Sequence, residues 1–247
     1  MAPLGVAAAQ VPVRAGDLEA NLSTHAAAVE AAARLGTSLV VFPELSLTGY
    51  DPDLAEDLAI TPDDPRLEGL CGLVRDLGLR AVVGAPIRDG PGRPALGAIV
   101  IGEDVRTYRK MHLGWTEPDH FAPGTEPMLL SVGGVGVGLA ICADTSRPDH
   151  PGGYARAGAS VYAAGVFLTE EWYATDTPRY PRYARELGLL CVMANQGETD
   201  GRLRSVGRSA IWAPGGEVLT RATATEPTLL VARMEGDGWQ GETAPLD

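Results

Sequence analysis

The sequence predicts a single α/β domain in which buried strands alternate with amphipathic helices. Short apolar runs rich in alanine or β-branched residues recur between helical patterns, as at 4–9, 39–42 and 81–87. Glycine follows several of the helical patterns, at the point where a helix would end. The 247 residues contain no linker and no break in composition, and a chain of this length can bury a large core.

The first half of the chain predicts a β-α-β unit followed by a second helix and more strands. The apolar run at 4–9 precedes a helical period from about Asp17 to Arg34, and Gly36 ends that helix. LVVF at 39–42 is a β-branched buried strand that ends at Pro43. The next predicted elements are a helix at about 65–77, a stop at Gly78, strands at 81–87 and 96–101, and a turn at 90–94 between those strands.

The second half continues this alternation. GGVGVG at 133–138 superficially resembles a nucleotide-binding turn, but it precedes a strand rather than opening a helix, so we expect a hairpin there. The residues after about 236 show no clear pattern and are predicted to form a loose tail. The remaining predicted elements are strands at 129–132 and 135–142, a helix near 152–158, a strand at 160–167, a helix at about 178–188, a strand at 189–195, a hairpin around Gly215 and Gly216, and a strand at 228–234.

The charge of the chain argues against several kinds of partner. Lys and Arg number 20 against 32 Asp and Glu, which gives a net charge of -12 that is spread along the sequence. Nucleic acids and anionic membranes require clustered basic residues, so neither is expected as a partner. No run of about 18 apolar residues predicts a membrane span, and the start lacks the basic segment of a signal peptide.

Cysteine and histidine usage argues against disulfides and metal centres. Cys71, Cys142 and Cys191 form an odd, widely spaced set without a CxxC pair. The four histidines have no metal-ligand spacing, and no GxSxG motif supports a serine hydrolase. We therefore expect a cytoplasmic protein without a metal site.

Three residues that could perform chemistry follow predicted strands: Glu44, Lys110 and Cys142. The ends of strands are where α/β sheets present functional side chains. Cys142 leads into Ala143 in a turn that is typical of a nucleophile elbow. Taken singly, each residue is also compatible with a structural role, as a solvated carboxylate, a surface lysine or a buried apolar cysteine.

The order and spacing of three segments resemble the signature of the nitrilase superfamily of carbon-nitrogen hydrolases. These segments are VVFPELSLTGY at 40–50, YRKMHL at 108–113 and GLAICAD at 138–144. The resemblance extends over nearly the whole chain, with further agreement in AAAQ at 7–10, FAPG at 121–124, GAS at 158–160, MANQG at 193–197 and GRSAIWAPGGEVL at 207–219.

The resemblance implies a four-layer αββα sandwich, with helices outside two stacked sheets, that commonly pairs into homodimers or larger homo-oligomers. It implies that Glu44, Lys110 and Cys142 form a Glu-Lys-Cys set, with Glu117 as an additional active-site glutamate. It implies neither a metal nor an organic cofactor.

The proposed chemistry requires these residue types. A thiol, with a usual pKa of about 8.5, must lose its proton before it attacks an amide carbon. Glu44 would accept that proton, and the Lys110 ammonium with the Ala143 N–H would stabilise the oxyanion that forms. Glu44 could then protonate the leaving ammonia or amine and activate the water that hydrolyses a thioester on Cys142.

The segment after the cysteine departs from the family pattern. Many relatives resemble C-Y-D-x-R-F-P-E, whereas residues 142–149 here read CADTSRPD. Ser146 stands where an arginine is common and Arg147 where an aromatic residue is common, so bidentate binding of a substrate carboxylate is in doubt. The small Ala143 leaves more room beside the nucleophile. The candidate walls of the substrate pocket are Tyr50, Trp115, Phe167 and Trp172.

Three functional hypotheses follow. The leading one is an amidase that releases ammonia or an amine from a small amide, and its near neighbour is an N-carbamoyl amine or amino acid hydrolase; a nitrilase is less favoured. From another class, the chain could be a catalytically silent oligomeric binding protein. The presence of Glu44, Lys110 and Cys142 together argues against the silent protein, because a retired site has no chemical reason to keep all three.

Overall fold

The computed structural model describes residues 4–236 and 238–246, and it contains two mixed sheets with helices on their outer faces. The strands are β1 (Gly5–Gln10), β2 (Leu39–Val41), β3 (Arg80–Ile87), β4 (Ala95–Ile101), β5 (Val105–Arg109), β6 (Leu129–Val132), β7 (Val135–Ile141), β8 (Ala159–Val166), β9 (Leu190–Asn195), β10 (Ala210–Trp212), β11 (Val218–Arg221), β12 (Thr228–Glu235) and β13 (Gly238–Pro245). The α-helices are α1 (Leu18–Arg34), α2 (Glu68–Asp76), α3 (Asp149–Arg156), α4 (Glu170–Asp176) and α5 (Arg179–Leu187).

The first sheet has the strand order β13-β12-β1-β2-β3-β4-β5. β1, β2 and β3 are parallel, and α1 and α2 connect them as the predicted β-α-β pattern requires. The Asp17 carboxylate accepts a hydrogen bond from the Ala20 N–H and caps α1, and Gly36 follows the helix with φ 68°, a left-handed conformation that glycine adopts without strain.

The second sheet has the order β11-β10-β9-β8-β7-β6. β7, β8 and β9 are parallel, and α3, α4 and α5 lie in the connections between them. The glycines at 133–134 make the turn of the β6–β7 hairpin, as predicted, with φ values of 58° and 83°.

The alternation of side chains along the strands explains why there are four layers. In β1, Val6 and Ala8 belong to the core between the sheets, whereas Ala7 and Ala9 pack with the residues of α1 and α2. On the far side, residues of α3 and α5 pack with the outer face of the second sheet. The chain is a single αββα domain, and this prediction is confirmed.

Two details of the predicted fold are wrong. The segment after residue 236 is not a loose tail, because β13 pairs antiparallel with β12 from Gly238 to Pro245. Its side chains are mostly exposed, so no apolar pattern marks it in the sequence, and its backbone hydrogen bonds hold it in place. α4 (Glu170–Asp176) was not predicted, since none of its side chains is buried. Among the described helices, none combines the length and apolar character needed to cross a bilayer.

Candidate active site

Glu44 lies just beyond the end of β2, where the chain passes between the two sheets. Gly84 of β3 and Gly165 of β8 leave room for this passage: a Cβ on Gly84 would lie 2.3 Å from the Pro43 oxygen, and one on Gly165 would lie 2.5 Å from the Phe42 oxygen. The next residue, Leu45, has φ 50°, which is unusual for a residue with a side chain. The glycines and this turn place the Glu44 carboxylate in the interior, where it is 1% exposed.

Lys110 follows β5 and is fully buried. The Lys110 backbone N–H donates to the Leu96 backbone oxygen at 2.8 Å, and the Lys110 backbone oxygen accepts from the Gly124 N–H at 2.8 Å. The backbone of Lys110 is therefore held by two neighbouring segments. The ammonium Nζ donates to Glu44 Oε1 at 2.6 Å and to Glu117 Oε1 at 2.8 Å. One buried cation is thus shared by two buried carboxylates.

Glu117 lies in a short 3₁₀ turn and has a full set of partners. Besides Lys110, its Oε1 accepts from the Tyr50 hydroxyl at 2.8 Å, and its Oε2 accepts from the Gly114 N–H at 2.6 Å. Glu44 is bonded less completely, because its Oε2 has no partner among the described residues. The two carboxylates are therefore suited to different tasks, Glu117 to holding Lys110 and Glu44 to exchanging a proton.

Cys142 follows β7 at the start of a 3₁₀ turn, Cys142–Ser146. Its φ of 39° is a strained conformation for a residue with a side chain and creates a sharp strand-to-helix bend. The side chain is half-buried and contacts both the core between the sheets and the core on the helix side. Cys71 and Cys191 are buried in the core, as predicted.

The pKa values reflect this crowding of charges. Burial raises the pKa of Glu44 to about 7, the Lys110 charge opposes the rise, and the Glu117 charge adds to it. Burial also raises the pKa of the Cys142 thiol well above its usual value, and the Glu44 charge raises it further, whereas Lys110 lowers it. Near neutral pH the resting thiol is protonated, and Glu44 can both accept and donate a proton.

Lys110 keeps its charge in this environment. Burial opposes the ammonium, but the charges of the Glu44 and Glu117 carboxylates, and that of the Cys142 sulfur when it is a thiolate, outweigh burial and raise the Lys110 pKa. A permanent cation beside a thiol and a carboxylate can stabilise a negative charge that develops on a bound carbonyl oxygen.

The predicted pocket residues divide into two groups. Tyr50 and Phe167 stack, with ring centroids 4.6 Å apart and an interplanar angle of 7°, beside the Lys110 cluster. Trp115 was predicted to form a wall, but it is fully exposed because it lies at the tip of the turn closed by the Glu117 N–H to Gly114 oxygen bond. Trp172 is also exposed, at 39%, on the outside of α4, so neither tryptophan is a packed wall.

Ser146, the other predicted pocket residue, lies at the surface of the turn. Its exposed hydroxyl donates to the Ala143 oxygen at 2.7 Å, within the turn that begins at Cys142. Arg147 is exposed as well, so neither residue supplies a buried cation in place of the family's arginine.

Sequence reasoning missed two residues that support the site. The buried Gln196 donates from Nε2 to the Glu44 backbone oxygen at 2.7 Å and so fixes that residue from the second sheet. Asp144, two residues after the cysteine, is fully buried and accepts several hydrogen bonds. Its place in the GLAICAD segment was the only signal in the sequence.

Comparison with known proteins agrees with this arrangement. The carbon-nitrogen hydrolase family matches residues 5–240. A hydrolase of Mycobacterium tuberculosis is 31% identical, over 91% of this chain and 88% of its own length. A nitrilase of Pyrococcus abyssi is 30% identical, over 87% of this chain and 83% of its own length.

The fold is shared with solved structures of an amidase from Nesterenkonia sp. AN1. That amidase superposes with a TM-score of 0.85 and 29% identity, covering 95% of this chain and 93% of the amidase. One variant of it was solved with butyramide, and another carries the acetamide moiety of fluoroacetamide on its active site cysteine. The chain belongs to the carbon-nitrogen hydrolase family, within the nitrilase superfamily.

Proposed function

We propose that this protein is a cysteine-dependent amidase that hydrolyses a small linear amide through a thioester on Cys142 and releases ammonia or an amine. One observation carries the proposal: the buried Lys110 Nζ bonds both Glu44 and Glu117, and Cys142, on a strained turn, lies within interaction distance of Glu44 and Lys110. A buried pair of carboxylates around one cation is costly to stability, and an acyl-transfer reaction gives it a use.

In the first half of the reaction, the Cys142 sulfur forms a bond to the amide carbon and the thiol proton passes to Glu44. The carbonyl oxygen becomes negatively charged and is stabilised by the Lys110 ammonium and the Ala143 N–H. Glu44 then gives its proton to the amide nitrogen, the carbon-nitrogen bond breaks, and ammonia or an amine leaves a thioester behind. The raised pKa of Glu44, about 7, suits a group that must both take and return a proton.

In the second half, Glu44 takes a proton from water as the water oxygen attacks the thioester carbon. The carbon-sulfur bond breaks, the acid leaves, and the proton on Glu44 returns to the Cys142 sulfur. Water and amide are thus converted to acid and ammonia or amine, with every proton accounted for by one carboxylate. The reaction needs only these side chains and water.

The charge of the site supports a neutral acyl group. Glu44 and Glu117 are balanced by a single cation, Lys110, so a substrate carboxylate would meet a surplus of negative charge. Ser146 is exposed and bears no charge that could compensate. Small neutral amides, such as the butyramide bound by the Nesterenkonia variant, fit these conditions better than N-carbamoyl amino acids.

The test is intact-protein mass spectrometry of wild type after brief incubation with a panel of small amides, carbamoyl compounds and nitriles, together with an ammonia assay. Cys142→Ala removes the proposed nucleophile, and Cys71→Ala is the matched control because it removes a thiol that lies away from the site. We expect an acyl adduct on wild type and on Cys71→Ala, and neither adduct nor ammonia from Cys142→Ala.

Each outcome is informative. A carbamoyl adduct together with release of carbon dioxide would show that the protein is an N-carbamoyl hydrolase and not an amidase. Turnover that persists in Cys142→Ala would refute the nucleophile. A wild type that forms no adduct and no product with any member of the panel would favour the catalytically silent protein.

A further inference from the structure

The Asp144 carboxylate is a junction between the two sheets beside the proposed active site. The side chain is fully buried, and both of its oxygens accept hydrogen bonds. Oδ1 accepts from the Met111 N–H at 3.0 Å and the His112 N–H at 2.8 Å, and Oδ2 accepts from the Ile141 N–H at 3.0 Å and the Tyr108 hydroxyl at 2.7 Å.

These donors lie on either side of the residues that would perform the chemistry. Met111 immediately follows Lys110, beyond the end of β5 in the first sheet. Ile141 immediately precedes Cys142, at the end of β7 in the second sheet. One carboxylate therefore binds the backbone next to the proposed cation and the backbone next to the proposed nucleophile.

Side chains behind Asp144 hold it in one orientation. The Tyr108 hydroxyl that donates to Asp144 also lies 3.1 Å from His150 Nε2, and His150 Nδ1 lies 2.9 Å from the Tyr162 hydroxyl. Tyr108, His150 and Tyr162 are all buried. The carboxylate is thus anchored to β8 as well as to the two chain segments that it joins.

A cation site is the obvious alternative for this cluster, but the contacts argue against it. Ligand atoms of His112, Asp144 and His150 lie within 4.8 Å of one another. However, the Tyr108 hydroxyl contacts both Asp144 and His150, and N–H and O–H donors already occupy both carboxylate oxygens. The Asp144 carboxylate therefore binds backbone N–H groups of the protein and not a metal ion.

We propose that Asp144 is a positioning residue that fixes the Lys110 segment relative to the Cys142 turn. The proposal rests on the proposed function, because it assumes that Lys110 and Cys142 act on one substrate. The strained φ of Cys142 requires such support, since a free turn would relax toward an ordinary conformation. A shift of 1 Å between reacting groups typically costs about 10²-fold in rate.

The principal variant is Asp144→Asn, which keeps the shape of the side chain but replaces one acceptor oxygen with an NH₂ group. In either orientation the NH₂ group faces N–H or O–H donors, so one of the two chain segments loses its anchor. Asp149→Asn is the matched control, because Asp149 is an exposed carboxylate five residues further along and is not part of the network.

We expect Asp144→Asn to lower kcat for amide hydrolysis by about 10²-fold, with a much smaller change in KM, because geometry is lost and not substrate contact. Asp149→Asn should keep the wild-type kcat. Circular dichroism and a melting curve establish that the assay temperature lies below the transition for every variant. A purely structural Asp144 would change the melting temperature and leave kcat of the folded protein unaltered, and that result would overturn the proposal.

Two further measurements cover other outcomes. If Asp144→Asn does not fold, Tyr108→Phe removes one donor from the carboxylate and should lower kcat by about three- to tenfold, the factor that one hydrogen bond is worth. Wild-type kcat in Tyr108→Phe would then overturn the proposal.

The rate of Cys142 alkylation by iodoacetamide, followed by mass spectrometry, does not depend on amide turnover. We expect slower alkylation in Asp144→Asn than in Asp149→Asn, because the thiolate loses its fixed distance from Lys110. If wild type hydrolyses nothing but this difference persists, the proposed function fails and the positioning role stands. If wild type hydrolyses amides but Asp144→Asn and Asp149→Asn are alkylated at equal rates, the proposed function stands and only the positioning role is refuted.

Discussion

Replacing Glu44 with glutamine should make the protein more stable above neutral pH while removing its activity. Burial raises the pKa of Glu44 from 4.5 to about 7. A folded-state pKa above the unfolded value means that the folded protein favours the protonated carboxyl. Its contribution to stability is fully present below pH 4.5 and is lost as the pH rises through about 7.

The size of the effect follows from the difference between a pKa of 4.5 in the unfolded chain and a pKa of about 7 in the folded protein. At about 1.36 kcal/mol for each unit, the ionised Glu44 lowers the free energy of unfolding by about 3 kcal/mol at pH 8.5. Glutamine resembles the neutral carboxyl and can still accept from Lys110, which keeps Glu117 as its charged partner. Glu44→Gln should therefore gain about 3 kcal/mol at pH 8.5 and nothing at pH 4.5.

Melting curves at a series of pH values test this prediction. For a domain of this size, the gain corresponds to an increase in Tm of roughly 6–12 °C at pH 8.5. Glu103→Gln, at an exposed glutamate, is the control and should match wild type at each pH. A Glu44→Gln protein that melts below wild type at pH 8.5, or a difference that does not change with pH, would show that Glu44 is not under this electrostatic strain.

Three other predictions follow from the structure. Because Glu44 must be ionised to accept the thiol proton, kcat/KM for amide hydrolysis should fall as the pH drops through about 7, and a profile that is flat from pH 5 to 8 would contradict this. Gly165→Ala should lower kcat by about 10²-fold, because the added Cβ would lie 2.5 Å from the Phe42 oxygen and 3.2 Å from the Glu44 nitrogen. Gly153→Ala on α3 should remain active, because its added Cβ would meet only the end of the Arg156 side chain, at 4.0 Å. Trp115→Ala should leave the free energy of unfolding within about 0.5 kcal/mol of wild type by urea denaturation, since the side chain is fully exposed.

The main elements of the fold were predictable because their signals are local. β-branched runs gave the central strands, and glycines gave the ends of α1 and α2, where Gly36 and Gly78 are left-handed at φ 68° and 67°. β13 was missed because pairing with β12, and not burial of its own side chains, determines its structure. Trp115 was wrongly predicted to line the pocket, because the hydrophobicity of a residue in a turn does not determine whether its side chain faces the interior or the solvent.

The candidate site divides in the same way. Glu44, Lys110 and Cys142 each follow a strand, but that position alone left a structural role open for each of them, and the resemblance of their three segments to one family is what singled out the set. Asp144 and Gln196 could not be assigned a role, because the groups that they bond are mostly backbone N–H and C=O groups. Every residue carries those groups, so they leave no pattern in the sequence. The predictions of a cytoplasmic location and of homo-oligomers stay predictions.

Several places where ordinary stability rules fail lie at the proposed nucleophile and base, although Arg208, with φ 56°, and the buried Tyr180 hydroxyl, which has no hydrogen-bond partner among the described residues, are further examples outside the reactive set. Leu45 and Cys142 adopt positive φ, and they flank or belong to the reactive set. Glu44 Oε2 and Gln196 Oε1 are buried without a hydrogen-bond partner among the described residues. A chain selected for stability alone would avoid each of these features, which cost about 1–3 kcal/mol apiece. Four of these features belong to the proposed nucleophile, the proposed base and the residues that adjoin or bond the base, where a buried cation also holds two carboxylates. This is the physical argument for a catalytic rather than a structural role.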